Sequence, residues 1–293
     1  MLDKAYLLFG LAAGMLYALG ASYLKIAGER GVRSLQATLI TNTSLALMFL
    51  WFVPWSDSPF PTIWWPSVVE GLLFVVGQFF TMLAISRGCP SISTSVLGSK
   101  AVLVAMMVTL VLGTPLKANT WMAALLTTVG ITVLAMSARQ LTGHHRLAAF
   151  AYALLSAAAF AAFDAMTQYW SPRLGFGRFM PWGVLIGAAM AACVILAKEH
   201  EFAGIPRPAW RSMALATALN VGQSLLLIWA IGRYVDAAGL NVVYGSRGVW
   251  SVLIVWLLGA FLGARERISG GKVLLQRLCG AGLIAAAIVL AFW

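Results

Sequence analysis

Residues 97–103 read Leu-Gly-Ser-Lys-Ala-Val-Leu, and they put a lysine, Lys100, inside a stretch that is otherwise apolar enough to cross a membrane. Residues 244–250 read Tyr-Gly-Ser-Arg-Gly-Val-Trp, and they put Arg247 at the matching position of a second apolar stretch. A charge at the centre of a membrane helix costs about 3 kcal/mol even on the most lenient insertion scale. Each cation therefore needs a water-filled cavity or a counter-charge.

The composition around these stretches is typical of an integral membrane protein. Of 293 residues, 61% are hydrophobic and only 10% are charged. A hydrocarbon core about 30 Å thick requires about 20 apolar residues per helix. Ten segments satisfy this requirement: residues 5–26, 34–55, 66–86, 91–113, 119–138, 147–170, 179–198, 209–230, 237–260 and 273–292. The loops between them are short, so the sequence predicts an all-α integral membrane protein without a soluble domain, whose partner is the lipid bilayer.

Basic residues are divided unequally between the loops on the two sides of this membrane. The loops after the odd-numbered segments hold 13 Lys and Arg residues, whereas the opposite face holds five. By the positive-inside rule the first set faces the cytoplasm, which predicts that both termini lie on the outer face of a plasma membrane of the bacterial inner-membrane type. Although the net charge is +11, no basic tract with interleaved aromatic residues remains for a nucleic acid.

The chain also matches itself at a nearly constant offset. Val-Gly-Gln at residues 76–78 recurs at 221–223, Ala-Ile-Ser-Arg at 84–87 recurs as Ala-Ile-Gly-Arg at 230–233, and Gly-Ser-Lys at 98–100 recurs as Gly-Ser-Arg at 245–247. Three matches in one order predict two repeats, residues 1–146 and residues 147–293. Each repeat has five segments, an odd number, so the second must enter the membrane from the opposite face. Inverted repeats of this kind are typical of carriers that work by alternating access, with a binding site near the midplane.

The predicted helices form two inverted five-helix repeats, and the fourth and ninth helices are each followed by a short loop and a closing helix. This architecture resembles the drug/metabolite transporter superfamily of the EamA type. Members often end these two helices with Leu-Gly-Glu. Here the first has Leu-Gly-Thr-Pro at residues 112–115, and in the second the acid comes late, at Glu266. The resemblance implies a secondary transporter of small metabolites, without a cofactor, whose cavity is lined by segments 1, 3, 4, 6, 8 and 9.

The deep charges indicate the chemistry of the substrate. Lys100 lies about nine residues, or about 14 Å, into its segment, and Arg247 lies about ten residues, or about 15 Å, into its own. The best-placed acid is Asp164, about six residues from the end of the sixth segment, while Glu70 is nearer an edge. Because one deep acid cannot neutralise two cations, the sequence predicts a positive cavity that binds an anion. Asp164 is a candidate proton-coupling residue, with a static salt bridge as the alternative.

Other polar and aromatic residues of the repeats are candidate cavity residues. Gln78 and Gln223 are related by the repeat, and Asn220 shares a helix face with Gln223 because three residues separate them. The further candidate substrate-binding residues are Tyr17, Tyr244, Ser99, Ser246 and Trp250. For Asn42, hydrogen bonding between helices is the preferred interpretation.

Enzymatic motifs are missing from the sequence. His144 and His145 form a loop dipeptide, and no His-Glu-x-x-His, Gly-x-Ser-x-Gly, phosphate-loop or dinucleotide-binding motif is present. We therefore expect a protein that is not an enzyme and that holds no metal or cofactor.

Two classes of function remain open at this stage. The first is an alternating-access carrier of a small anionic or zwitterionic metabolite, such as an organic acid, a phosphorylated compound or an amino acid. Its rival is an exporter of cationic or neutral compounds coupled to protons through Asp164. The second class is a non-transporting assembly subunit. The sequence leaves open the direction of transport, the coupling ion and the oligomeric state (monomer or homodimer).

Overall fold

A computed structural model describes residues 4–54, 56, 63–87, 98–136, 146–198, 204–258 and 271–293. Within these ranges the regular secondary structure is helical throughout, as the sequence predicts. The helices are α1 (Leu7–Glu29), α2 (Ser34–Leu50), α3 (Trp65–Arg87), α4 (Lys100–Met106), α5 (Ala118–Met136), α6 (Arg146–Leu174), α7 (Phe176–Lys198), α8 (Trp210–Tyr234), α9 (Ala237–Tyr244), α10 (Arg247–Leu258) and α11 (Gly271–Phe292). A π-helical turn, Met107–Val111, continues α4, and a 3₁₀ turn, Arg207–Ala209, precedes α8.

Seven of the described helices are long and apolar enough to cross a membrane, namely α1, α3, α5, α6, α7, α8 and α11. Large apolar side chains also cover the outside of the molecule; Leu147 is 82% exposed and Leu110 is 73% exposed. Apolar surface on this scale requires lipid rather than water around it. The chain is thus an all-helical protein of membrane-compatible composition, which confirms that part of the prediction.

Two predicted segments differ from the helices observed. The second segment was expected to reach residue 55, but α2 ends at Leu50. Pro54 follows closely, and the residue before a proline is disfavoured in the helical conformation. The ninth segment was expected to be one helix, and this was wrong. A turn at Gly245 and Ser246 separates α9 from α10.

The turn between α9 and α10 packs directly against α5. A Cβ atom at Gly245 would overlap Thr127 Cγ2, so α5 approaches the backbone here as closely as glycine allows. Because of this turn, Arg247 is the first residue of α10 rather than the eleventh residue of one helix that begins at residue 237. In the other half, Gly98 and Ser99 form the same kind of turn and Lys100 is the first residue of α4. The start of the predicted fourth segment, residues 91–97, lies outside the described residues.

The helices pack in pairs that each join one helix before residue 146 with one after it. The pairs are α1 with α8, α3 with α6, α2 with α7 and α5 with α11. α1 also contacts α9 and α10, and α6 contacts α4. One apolar cluster therefore contains residues from both parts of the chain, among them Leu7, Val104 and Leu240.

Small residues permit the closest of these contacts. A Cβ atom at Gly280 would lie 2.8 Å from the Gly130 carbonyl oxygen, and one at Gly130 would lie 2.9 Å from the Gly280 carbonyl oxygen. Backbone atoms cannot yield as side chains do, so the α5–α11 contact requires glycine at both positions.

We expect Gly280→Ala to lower the free energy of unfolding by about 1–3 kcal/mol, because the added methyl group meets backbone. Gly282→Ala is the matched control, since Gly282 lies on the same helix with nothing within 4 Å of a Cβ atom there. It should be neutral or stabilising by up to about 1 kcal/mol, the helix-propensity difference between glycine and alanine. Thermal unfolding of the purified variants in detergent measures both. Equal effects of the two substitutions would contradict the close contact.

Candidate functional site

An ion pair between α4 and α6 is the central polar contact of the structure. Lys100 Nζ lies 2.7 Å from Asp164 Oδ2, and the two side chains are only 16% and 3% exposed. The Asn241 amide on α9 donates a second hydrogen bond to the same carboxylate oxygen, over 2.6 Å. The Lys100 ammonium also lies 5.9 Å from the centre of the Phe160 ring. One carboxylate therefore joins three helices.

Lys100 and Arg247 line the same cavity. Its volume is about 10 Å³, roughly the space that one water molecule requires. The wall comes from α4, α5, α9, α10 and the two turns before Lys100 and Arg247, and it consists of Gly98, Lys100, Ala101, Thr127, Ile131, Asn241, Tyr244, Gly245 and Arg247. Lys100 and Arg247, which the sequence predicts to lie at one site, thus both contribute to the wall of one cavity.

Two tyrosine rings surround the Arg247 guanidinium. Its central carbon lies 5.0 Å from the Tyr17 ring centre and 4.8 Å from the Tyr244 ring centre. The two rings meet edge to face with their centres 6.0 Å apart. Within the described part of the chain, no carboxylate forms an ion pair with Arg247. Its charge is therefore stabilised by the two aromatic rings and by a hydrogen bond with the Tyr244 side chain. A guanidinium has five N–H donors, so this one bond does not use them all.

The position of α9 is fixed at its first turn. The Asp236 carboxylate caps this helix by accepting a hydrogen bond from the Gly239 N–H over 2.9 Å, and it accepts another from the Tyr6 hydroxyl over 2.6 Å. The Ala237 N–H donates to Gln168 Oε1 on α6, over 2.8 Å. These bonds hold α9 against α1 and α6, and in doing so they set the positions of Asn241 and Tyr244.

Gln78 and Asn42 form a pair of their own away from this cavity. The Asn42 amide donates to Gln78 Oε1 over 2.8 Å, and the Gln78 amide donates to Asn42 Oδ1 over 2.9 Å. Each side chain thus satisfies the other across α2 and α3, which is the interhelical role that the sequence favours for Asn42. Gln78 is not brought to the wall that contains Lys100 and Arg247.

The repeat-related Gln223 lies closer to the cavity than Gln78 does. Its Oε1 accepts a hydrogen bond from the Tyr244 hydroxyl over 3.0 Å, and its amide donates to Ser224. Asn220 instead donates to the Ala216 carbonyl one turn earlier on α8, and its amide packs against Gly20. Gln223 therefore supports a wall residue, whereas Asn220 contributes to the α1–α8 contact.

The remaining candidates lie beside the cavity rather than on its wall. Ser99 lies in the turn before Lys100. Ser246 is 2% exposed and lies against Gly14 on α1. The Trp250 indole N–H is buried on α10 without a hydrogen-bond partner in the described part of the chain, as is the Ser246 hydroxyl. None of the three is among the residues that line the cavity.

Asn241 and Thr127 are wall residues that sequence reasoning missed. Asn241 precedes Tyr244 by three residues and so shares its helix face, a signal that was present in the sequence. Thr127 is on α5, a helix that the family resemblance assigns to the outer scaffold, and its hydroxyl lies 3.5 Å from the Val242 carbonyl oxygen. Thr127 on α5 packs against Gly245 in the turn between α9 and α10. The sequence did not predict that turn, and so it did not predict this contact.

No group of three or more His, Cys, Asp or Glu side chains that could hold a metal ion occurs among the described residues. No model of a protein family matches the chain, and no curated protein matches it. In fold, 28 chains of solved structures match it. One of them, described only as "Crystal structure of protein", corresponds to 99% of this chain and 98% of its own, with a TM-score of 0.75 and 19% sequence identity. At this identity the likeness shows a shared fold alone.

We expect Lys100→Met to lower the free energy of unfolding by about 3–5 kcal/mol, because it leaves the Asp164 carboxylate buried without its cation. Asp164→Asn should be destabilising for the converse reason. The double variant should lose less than the sum of the two single losses, which thermal unfolding in detergent measures as a double-mutant cycle.

Lys117→Met is the control, since Lys117 is exposed, and it should change stability by about 0.5 kcal/mol or less. Strict additivity of the two single variants would contradict an energetically coupled pair.

Proposed function

We propose that this chain is a secondary membrane transporter that moves a small anionic or zwitterionic metabolite by alternating access. Lys100 and Arg247 would bind the anionic group of the substrate. One observation carries the proposal: two cations from matching sequence positions line one cavity, and only one carboxylate, Asp164, forms an ion pair with either of them in the described part of the chain.

The packing of the helices supports an architecture of ten membrane helices in two inverted repeats. If α1–α5 form one repeat and α6–α11 the other, α1 corresponds to α6 and α3 corresponds to α8. The α1–α8 contact then has the α3–α6 contact as its counterpart, and α1 with α9 and α10 corresponds to α6 with α4. This relation is what a two-fold axis in the membrane plane produces. Together with the Gly-Ser-Lys and Gly-Ser-Arg turns, it favours the EamA-type resemblance.

The charges of the site favour an anion. Lys100 and Asp164 neutralise each other, so Arg247 leaves the cavity with a net charge of about +1. The positive end of the α10 dipole adds to this field, because Arg247 opens that helix. A guanidinium can bind a carboxylate or a phosphate through two parallel hydrogen bonds. Asp164 lies close enough to the same wall to accept the ammonium group of a zwitterion.

The size of the cavity is consistent with a contracted state of a carrier. A space of about 10 Å³ cannot hold a metabolite, so binding requires the walls to separate. The wall includes the first turns of α4 and α10, and helix ends of this kind can reorient with few backbone changes.

The test is uptake into proteoliposomes with radiolabelled succinate, glycerol 3-phosphate and glutamate, which represent the three proposed substrate classes. We expect at least one of them to be carried. Arg247→Ala and Lys100→Ala should each weaken transport of that probe by tenfold or more, since loss of about 1.4 kcal/mol of binding is a factor of ten. Arg247→Lys should retain part of it, because the charge remains but the two-pronged geometry is lost.

Arg233→Ala is the matched control, since Arg233 is exposed in the last turn of α8. Labelled tetraphenylphosphonium serves as the cationic probe. Uptake of the cation alone, dependent on Asp164 and insensitive to loss of Arg247, would overturn the anion site in favour of a cation exporter. Absence of flux for every probe would favour the assembly-subunit alternative.

A further inference from the structure

Glu70 is a second deep acid, and it belongs to a different set of contacts from Asp164. It lies on α3, where it is fully buried against α6 and α7. The Thr167 hydroxyl on α6 lies 2.6 Å from Glu70 Oε1, and a Cβ atom at Gly183 on α7 would lie 3.1 Å from Glu70 Cγ. Glu70 Oε2 has no hydrogen-bond partner in the described part of the chain. The sequence predicts that Glu70 lies nearer a membrane edge, and it does not predict the complete burial of this side chain.

The contacts of the Thr167 hydroxyl bear on whether Glu70 carries a proton. Its oxygen lies 2.6 Å from Glu70 Oε1 and 3.0 Å from the Phe163 carbonyl oxygen. A threonine hydroxyl has one hydrogen, and a carbonyl oxygen can only accept. Both contacts are hydrogen bonds at once if Thr167 donates to Phe163 and a protonated Glu70 donates to Thr167. With Glu70 ionised, the Thr167 hydrogen would have to be shared between two acceptors.

The charges that face Glu70 agree with a neutral acid. No cation of the described residues forms an ion pair with it. The acidic group that faces Glu70 from α6 is Asp164. From α7, Gly183 lies against the Glu70 side chain, and the Met180 sulfur lies 3.7 Å from the Thr167 oxygen. A carboxylate in these surroundings would be buried with no cation beside it and only a shared hydroxyl hydrogen to stabilise it, which is unfavourable.

Asp164, by contrast, has a cation and an amide as partners. It accepts from the Lys100 ammonium and from the Asn241 amide. Asp164 and Thr167 are three residues apart on α6, so they share a helix face and connect the two acids. A substrate anion that takes over the Lys100 ammonium leaves the charge of Asp164 uncompensated beside Glu70.

We propose that Glu70 is the binding site for a proton that is transported together with the substrate anion. This inference rests on the proposed carrier function. The Glu70 Oε1–H bond forms when the proton binds, and it breaks to leave a carboxylate when the proton is released. When the anion binds Lys100, the negative charge of Asp164 loses its partner and favours the protonated form of Glu70. Binding of the anion and binding of the proton therefore stabilise one another. The coupled species move in the same direction.

A substrate-independent test uses the infrared carbonyl stretch of protonated carboxylic acids. In purified wild-type protein at neutral pH we expect such a band, its loss in Glu70→Gln, and its persistence in Glu29→Gln. Glu29 is the matched control because it is exposed at the end of α1. A band that survives in Glu70→Gln overturns the proposal and leaves the carrier function untouched.

Thr167→Val provides a second variant in case Glu70→Gln fails to fold. It removes the hydrogen-bond acceptor of the Glu70 O–H, so the band should shift towards the frequency of a free acid. A band that neither shifts nor disappears in this variant overturns the proposal.

A flux test then addresses coupling with whichever of succinate, glycerol 3-phosphate and glutamate the wild type carries. A pH gradient of one unit, acidic on the side of entry, should drive about tenfold accumulation for one coupled proton. Glu70→Gln should accumulate no probe in response to this gradient, whereas Glu29→Gln should respond as the wild type does. Gradient-driven accumulation by Glu70→Gln would overturn the coupling. Failure of the carrier function is distinct, because wild-type vesicles would then carry no probe at all.

Discussion

The buried ion pair between Lys100 and Asp164 is the constraint around which the rest of the site is arranged. Removing two charges from water costs several kcal/mol for each ion, and the attraction between them compensates only where further hydrogen bonds complete the geometry. Here the Asn241 amide supplies one such bond, and the Phe160 ring lies beside the ammonium. Helices α4, α6 and α9 are thereby held together. Because Asp164 neutralises Lys100, the remaining positive charge of the site is that of Arg247.

The positions of the two cations at helix starts explain how such charges can lie inside an apolar molecule. Gly98 and Gly245 lie in the turns that precede Lys100 and Arg247, so each cation stands at the first turn of a helix rather than along its lipid-facing side. The structure also separates the two acids. Among the described residues Asp164 pairs with Lys100, whereas Glu70 is enclosed by α6 and α7 and has the Thr167 hydroxyl as its hydrogen-bond partner. The anion site and the proton site that we propose therefore use different carboxylates.

Composition and charge spacing were sufficient to predict an all-helical membrane protein and to select Lys100, Arg247 and Asp164, because charges within apolar segments have few acceptable positions. The same reasoning missed the break at Gly245, since glycine is also frequent in unbroken membrane helices. It missed the burial of Glu70 because lateral packing of α3 against α6 and α7 depends on long-range contacts. Gln78 was assigned to the cavity by its repeat equivalence, yet its partner is Asn42, a local preference that self-alignment does not reveal.

The most direct test of the central claim is to locate a bound anion. Crystals of the protein soaked with a bromine-labelled carboxylate, such as 3-bromopropionate, would give an anomalous signal at the bromine position. The account predicts a peak beside the cavity wall, with the carboxylate between the Arg247 guanidinium and the Lys100 ammonium, and its loss in Arg247→Ala crystals. A peak elsewhere that is unchanged in Arg247→Ala, with none at this wall, would contradict the account.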